Sequence, residues 1–168
     1  MEPIRKLYLD TNIFILLGEG EEDPRRNRVL DIVVSQKEET EKFLATSDLT
    51  LAELLVRPYR DGNEDLIKLY DHWIDSQNTW LDVGAVTRDV LWFAAVLRNQ
   101  YPTVKLPDAI HLSTAVGLEC THVVTADEKL PREISLTHSR WGWRRSAPPL
   151  RLVSPTVENL QAILEQRQ

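Results

Sequence analysis

Five short apolar runs alternate along this chain with segments of helical periodicity, and this alternation limits the folds that the chain can adopt. The strand-like runs cover residues 6–9, 43–46, 79–83, 122–125 and 150–153. Segments with apolar residues at helical spacing separate these runs, and a last one follows Pro155. Strands that alternate with helices predict a parallel sheet covered on both faces. We therefore expect an α/β fold of three layers, with a five-stranded, mainly parallel central sheet flanked by helices.

The chain has the length of one domain and shows no internal repeat. Its 168 residues are 42% hydrophobic, and a chain of this size can bury roughly 70% of its unfolded surface. We predict a single domain over residues 1–168. The segment 137–149 contains tryptophans and arginines, and its apolar residues follow neither the helical nor the strand period. We therefore expect it to be an irregular loop before the last strand.

Charge and cysteine content argue against several classes of protein. The net charge of −6 gives no global basic signature of a nucleic-acid binder, although a local basic patch would be enough for one. Cys120 is the only cysteine, so an intramolecular disulfide and a cysteine-based zinc site are excluded. No run of 18 apolar residues and no signal-peptide pattern is present. We expect a cytoplasmic protein without a membrane span.

Four acidic residues occupy positions that a parallel sheet would bring toward one edge. Asp10 ends the first strand and Asp127 follows the fourth, while Asp108 lies in the first turn of a helix. Glu53 interrupts an otherwise apolar helix. Ligands of such sheets bind at the carboxyl ends of the strands. We therefore predict that these acids form a site at that edge.

Converging carboxylates repel each other, by about 4 kcal/mol for a pair about 4 Å apart at an effective dielectric of about 20. Mg²⁺ and Mn²⁺ prefer carboxylate and water oxygens, so such an ion is the natural partner of the cluster. It can activate water and stabilise both oxygens of an in-line phosphoryl displacement. Each acid alone could equally cap a turn or a helix, or face solvent. The occurrence of all four together favours the metal site.

The motifs that contain these acids resemble those of the PIN domain. They read L-Y-L-D-T-N, T-L-A-E-L-L, L-P-D-A-I-H-L-S-T-A and V-V-T-A-D, and they span Leu7 to about Asp127. Each motif is short, and it is their order and spacing that make the resemblance specific. Within the family, the chain is most similar to VapC-type toxin ribonucleases of toxin–antitoxin pairs.

The resemblance implies cleavage of RNA that depends on Mg²⁺ or Mn²⁺. It also implies frequent homodimers and, in toxin members, a cognate protein antitoxin that covers the active site. The function implied is a metal-dependent endoribonuclease that acts as a toxin. Four residues match the metal-binding, catalytic acids of the family and two match its supporting polar positions: Asp10, Glu53, Asp108 and Asp127, with Asn12 and Thr125.

Two further features are candidate functional groups. One is a run in which cations alternate with aromatic rings, formed by Arg140, Trp141, Trp143, Arg144 and Arg145. Such a run suits phosphate contact and base stacking, and its alternative is a loop that packs its tryptophans on the domain. The other is His111, three residues after Asp108, which could be a general base but is better interpreted as a hydrogen-bonded packing residue.

Other functions remain open from the sequence. A non-toxin PIN nuclease in RNA processing would have the same acids. Phosphatases of the haloacid dehalogenase kind also place an acid after the first strand, but they use a second acid two residues later, where this chain has Asn12. A receiver domain normally has an acidic pair on its first strand. A non-catalytic nucleic-acid-binding module would not need all four acids.

Overall fold

The computed structural model describes residues 3–37, 41–140 and 143–166, and strands alternate with helices over most of them. The strands are β1 (Leu7–Leu9), β2 (Leu44–Ser47), β3 (Leu81–Gly84), β4 (His122–Val124), β5 (Glu133–Ile134), β6 (Thr137–Arg140), β7 (Trp143–Ser146) and β8 (Leu150–Val153). The helices are α1 (Thr11–Glu19), α2 (Pro24–Lys37), α3 (Asp48–Asp61), α4 (Glu64–Trp73), α5 (Arg88–Gln100), α6 (Leu106–Gly117) and α7 (Val157–Glu165).

Five parallel strands form the central sheet, in the order β3-β2-β1-β4-β8. The predicted α/β fold with a mainly parallel five-stranded sheet is therefore confirmed. The short β5 extends the sheet as an antiparallel edge strand beside β8. The sequence did not indicate β5, because two residues are too few to show a period. No helix in the described part of the chain is long and apolar enough to cross a membrane.

Two hydrophobic cores lie on opposite faces of the sheet. In β1, Leu7 and Leu9 belong to the core shared with α1, α2 and α7, whereas Tyr8 belongs to the core shared with α5 and α6. This division follows from the alternation of side chains along a strand. All three residues are buried, as expected for a central parallel strand that is covered on both faces.

The central position of β1 places its end beside the end of β4. Leu9 is in register with Val124, and the Asp10 N–H donates to the Val124 carbonyl at 3.1 Å. The residues that follow the two strands, Asp10 and Thr125, therefore emerge next to each other. The sheet thus supplies the edge at which the sequence places its acids.

The segment 137–149 is not an irregular loop, as the sequence predicted, but contains a β-hairpin. Strands β6 and β7 pair antiparallel and form a separate two-stranded sheet. The His138 ring packs edge-on against Trp92 and Phe93 of α5, at centroid distances of 6.1 and 5.6 Å. The Gln100 side chain also donates to the Thr137 carbonyl at 2.5 Å. Contacts with a distant helix hold this hairpin, and local periodicity carries no sign of them.

The end of α3 gives a stability prediction. Gly62 adopts a left-handed conformation with a φ of 64°, which costs an L side chain about 1–2 kcal/mol. We expect Gly62→Ala to lower the free energy of unfolding by about 1 kcal/mol. Gly117 is the matched control, because an added Cβ meets no atom within 4 Å at either glycine. Gly117→Ala should leave stability unchanged or raise it. Equal losses in urea unfolding would contradict the conformational explanation.

Candidate active site

Asp10 lies immediately after β1 and caps the first turn of α1. Its Oδ1 accepts a hydrogen bond from the Thr11 N–H at 2.8 Å. Its Oδ2 accepts from the Asn12 side-chain amide and from the Thr125 hydroxyl, both at 2.6 Å. These three donors fix the orientation of the Asp10 carboxyl group. The cap and the functional interpretation of Asp10 are therefore compatible.

Asn12 and Thr125, the predicted supporting residues, connect the ends of β1 and β4. The Asn12 side-chain oxygen accepts from the Ala126 N–H at 3.1 Å, while its amide donates to Asp10. The Thr125 hydroxyl donates to Asp10 and accepts from the Asp127 N–H at 3.1 Å. These bonds hold Asp10 and the backbone of Asp127 in a fixed relation.

Asp108 lies half-buried in the first turn of α6, where the negative charges of Asp10 and Asp127 act on it. Burial raises the pKa of its carboxyl group, and the negative charges of Asp127 and Asp10 raise it further. A backbone hydrogen bond at Lys105 opposes this rise. The Asp108 carboxylate therefore interacts electrostatically with Asp10 and Asp127, which follow the neighbouring strands β1 and β4. Their metal-binding and catalytic roles remain predictions.

Glu53 reaches the same region from α3, but through hydrogen bonds. Its Oε2 accepts from the Thr11 hydroxyl and from His111 Nε2, the latter at 2.9 Å. Burial alone would raise the pKa of Glu53, but the hydrogen bonds from His111 and Thr11 outweigh it and lower the pKa. These hydrogen bonds therefore favour the charged form of Glu53 and hold it next to Thr11, the residue that follows Asp10.

The geometry of His111 suits the packing role that the sequence favoured better than the alternative of a general base. The residue is 5% exposed, and both ring nitrogens already have partners. Nδ1 lies 2.7 Å from the Tyr8 hydroxyl, while Nε2 bonds to Glu53. The sequence analysis missed Tyr8 and Thr11. The signal was present in L-Y-L-D-T-N, where a phenol interrupts an apolar strand and a hydroxyl follows the acid.

The donor chemistry of the acids fits Mg²⁺ or Mn²⁺, although their arrangement does not form a finished ligand shell. Within the described ranges, no group of three or more His, Cys, Asp and Glu side chains is arranged to hold a metal ion. Both oxygens of Asp10 and Oε2 of Glu53 accept hydrogen bonds from protein donors. A carboxylate has about four lone-pair sites, so these bonds leave oxygen lone pairs to a cation. The mutual repulsion at Asp108 is what a divalent cation would relieve.

The predicted RNA-contact run lies on the hairpin, which packs on α5 and not against the acids. Arg144 and Arg145 are exposed on β7. Arg140 and Trp143 belong to the paired strands, but their side chains are not described. Trp141 lies outside the described residues. Of the run, Arg144 and Arg145 are the side chains that the structure describes, and neither forms a hydrogen bond or an ion pair with the four acids.

A comparison with known families identifies the fold. The model of the PIN domain matches residues 7–133. This chain belongs to the PIN domain family. The match covers β1 to the start of β5 and ends before the hairpin. The resemblance seen in the sequence motifs is therefore confirmed. No curated protein matches this chain significantly.

Solved structures of toxin–antitoxin proteins share the PIN fold of this chain. A toxin–antitoxin complex from Klebsiella pneumoniae is 22% identical, covers 73% of this chain and 87% of its own, and has a TM-score of 0.53. VapBC2 from Rickettsia felis, bound to a promoter DNA fragment, is 18% identical, with coverages of 73% and 89% and a TM-score of 0.55. VapC20 from Mycobacterium tuberculosis, a Sarcin-Ricin loop cleaving toxin, is 17% identical, with coverages of 70% and 87% and a TM-score of 0.53. At these identities, the likeness is one of fold.

The raised pKa of Asp108 predicts a stability effect. An acid whose pKa is higher in the folded state opposes folding once it ionises, and the cost disappears as pH falls below the unfolded value of about 3.9. We expect Asp108→Asn to raise the Tm of metal-free protein at pH 7 by at most about 2–4 °C, because solvent screens half-exposed carboxylates. The gain should shrink as pH is lowered toward 4.

Asp89→Asn is the matched control for this measurement. Asp89 is also a first-turn acid, on α5, but it is exposed. This variant should show no gain in Tm at pH 7. A loss of Tm in Asp108→Asn, or a gain that persists at acidic pH, would argue against repulsion at the site.

Proposed function

We propose that this protein is a divalent-metal-dependent endoribonuclease that acts as the toxin of a toxin–antitoxin pair. The observation that carries the proposal is that Thr125 joins Asp10 to the backbone of Asp127 where β1 and β4 of a PIN sheet end, and that burial and both negative charges raise the pKa of Asp108. PIN nucleases generally use divalent metal ions. The toxin structures that share the fold support this nuclease class.

The four acids have two roles in the proposed reaction. Asp10 and Asp108 hold the principal ion, and Glu53 and Asp127 complete the cluster. When bound, Mg²⁺ or Mn²⁺ supplies an activated water and positive charge beside the scissile phosphate. The hydrogen bonds that Asp10 accepts hold its carboxylate in place. Those that Glu53 accepts also lower the pKa of its carboxyl group, which favours the charged form that binds a cation.

A protein antitoxin is the partner that the comparisons favour. Two of the similar structures are toxin–antitoxin complexes, from K. pneumoniae and R. felis. In this chain, Ile15 on α1 and Val56 and Tyr59 on α3 are 41%, 56% and 67% exposed. Exposed apolar side chains on the helix that follows Asp10 and on the helix that carries Glu53 suit a partner that covers the site. The homodimer and the cytoplasmic location stay predictions from the sequence.

Cleavage of RNA tests the proposed activity directly. We expect purified protein to cut a mixed RNA pool with Mn²⁺ or Mg²⁺ and not with EDTA. Asp108→Asn should lower the rate by at least about 100-fold, because loss of groups that only support a metal ligand already costs about 10–100-fold. Asp89→Asn, an exposed acid of α5, should cut normally. The pool should include the Sarcin-Ricin loop, which VapC20 cleaves.

The other outcomes separate the alternative functions. Hydrolysis of phosphate monoesters without cutting of RNA would favour a phosphatase. Binding of RNA without cutting, together with a Tm that ignores Mn²⁺, would favour a binding module. Cutting that persists in Asp108→Asn would reveal a contaminating nuclease or a site elsewhere.

The hairpin supports a second, narrower proposal, that Arg144 and Arg145 contact the RNA backbone. Both are exposed on a short sheet beyond the family match. Arg144 lies opposite Ser139 in the hairpin, and Arg145 lies opposite His138, whose ring anchors the hairpin to α5. Two cations on an anchored platform can bind phosphates without reading bases. Packing of the hairpin on α5 and this role are compatible.

Salt dependence tests the role of the two arginines. We expect Arg144→Ala with Arg145→Ala to raise KM for RNA and leave kcat unchanged. The slope of log KM against log salt should fall by roughly 1.4, since each contact with single-stranded phosphate contributes about 0.7. The control is Arg5→Ala with Lys42→Ala, which removes two charges that precede β1 and β2, at the opposite edge of the sheet. An equal change of slope in both double variants would leave only a general charge effect.

A further inference from the structure

A buried chain of hydrogen bonds runs from the core to the proposed site. Tyr8 in β1 is 0% exposed, and its hydroxyl lies 2.7 Å from His111 Nδ1. His111 Nε2 lies 2.9 Å from Glu53 Oε2. The Glu53 side chain is 35% exposed, so it is the end of the chain that reaches solvent. The resemblance to the family assigned no role to Tyr8.

The proton positions along this chain follow from the chemistry of its two ends. A phenol hydroxyl keeps its proton at neutral pH, because its ordinary pKa is about 10. It can then donate to Nδ1 of His111. A neutral imidazole that accepts at Nδ1 carries its proton on Nε2. Nε2 therefore donates to the Glu53 carboxylate, which accepts only.

The donors to Glu53 leave one of its oxygens available. His111 and the Thr11 hydroxyl both donate to Oε2. Among the hydrogen bonds of the described chain, none involves Oε1. Two donors on one oxygen restrict the rotation of the carboxylate group. Oε1 keeps its lone pairs for a ligand.

We propose that Tyr8 and His111 are positioning residues for Glu53. The Tyr8 hydroxyl holds the His111 ring at Nδ1, and His111 then holds Oε2 of Glu53, which leaves Oε1 to the cation that the site would bind. What Oε1 binds rests on the proposed nuclease function. The tautomer and the hydrogen bond to Glu53 do not, because they need no metal.

The first test is the tautomer of His111 in metal-free protein, read from the ¹⁵N chemical shifts of its ring nitrogens. The chain has four histidines, and His111→Gln assigns the signal by its disappearance. We expect wild-type His111 to be protonated at Nε2 and to accept a hydrogen bond at Nδ1. In Tyr8→Phe, Nε2 should stay protonated because the Glu53 carboxylate only accepts, while the Nδ1 shift should move toward that of a nitrogen without a hydrogen bond. Protonation at Nδ1 in the wild type, or an unchanged Nδ1 shift in Tyr8→Phe, would overturn the proposal.

Tyr70→Phe is the matched control for Tyr8→Phe. Tyr70 is also 0% exposed, and its hydroxyl donates to Glu19 at 2.8 Å, away from His111. Both variants lose one buried hydroxyl and keep the ring, so they share the cost of that loss. Only Tyr8→Phe should alter the His111 signals. The same change in both variants would mean a general effect on folding and would overturn the specific link.

The second test measures binding of Mn²⁺ alone by calorimetry, with RNA cleavage beside it. Tyr8→Phe should weaken Mn²⁺ binding by about 10–100-fold and lower kcat, with KM for RNA unchanged. Tyr70→Phe should change neither. His111→Gln keeps an N–H donor for Glu53 and should retain more affinity than His111→Leu. In the His111→Gln background, Tyr8→Phe should cost little more, because its effect passes through His111.

The two tests fail in different ways. Wild-type protein that neither binds Mn²⁺ nor cuts RNA would defeat the proposed function, while the ¹⁵N shifts of His111 would still decide the Tyr8–His111 link. Wild-type protein that binds Mn²⁺ with the same affinity in Tyr8→Phe would keep the function and defeat the positioning role. Additive losses in the double variant would also defeat it.

Discussion

The Asp10 carboxylate is the group on which the arrangement of the site depends. It satisfies a free N–H at the start of α1 and, through Asn12 and Thr125, ties the end of β1 to the end of β4. An unpaired carboxylate there would be costly to bury. Because its partners come from both strand ends, the same bonds that stabilise Asp10 also place the backbone of Asp127 beside it. The same contacts therefore stabilise Asp10 locally and fix the geometry of the site.

The remaining acids show the opposite relation between stability and function. Asp108 is kept at the edge despite a pKa raised by burial and by its neighbours, so its charge opposes folding. The two cores on either side of the sheet must outweigh that cost. Glu53 avoids it, because Thr11 and His111 stabilise its charge. The site therefore combines one acid that repels its neighbours with two that are already satisfied, and a cation would change the environment of the first most.

Sequence reasoning reached the parallel sheet and the positions of the acids because both depend on local order. A strand that ends at Asp10 and a helix that begins near Asp108 can be read from apolar spacing and turn residues. The same reasoning failed at 137–149, where polar residues form β6 and β7. What makes that segment a hairpin is the anchoring of His138 on α5. A period-2 pattern was absent, and no described side chain of β6 or β7 belongs to either core.

The sequence by itself determined the α/β class, the family motifs and the edge of the sheet at which Asp10 and Asp127 emerge. The alternation of strand and helix is a one-dimensional signal, and parallel strands convert it into a common edge. Only the tertiary structure decided which partners each side chain has. Tyr8 and His111 are 103 residues apart, and His111 and Glu53 are 58 apart. A hydrogen bond tolerates only a few tenths of an ångström of variation in its donor–acceptor distance. No local sequence pattern specifies such distances between separate elements.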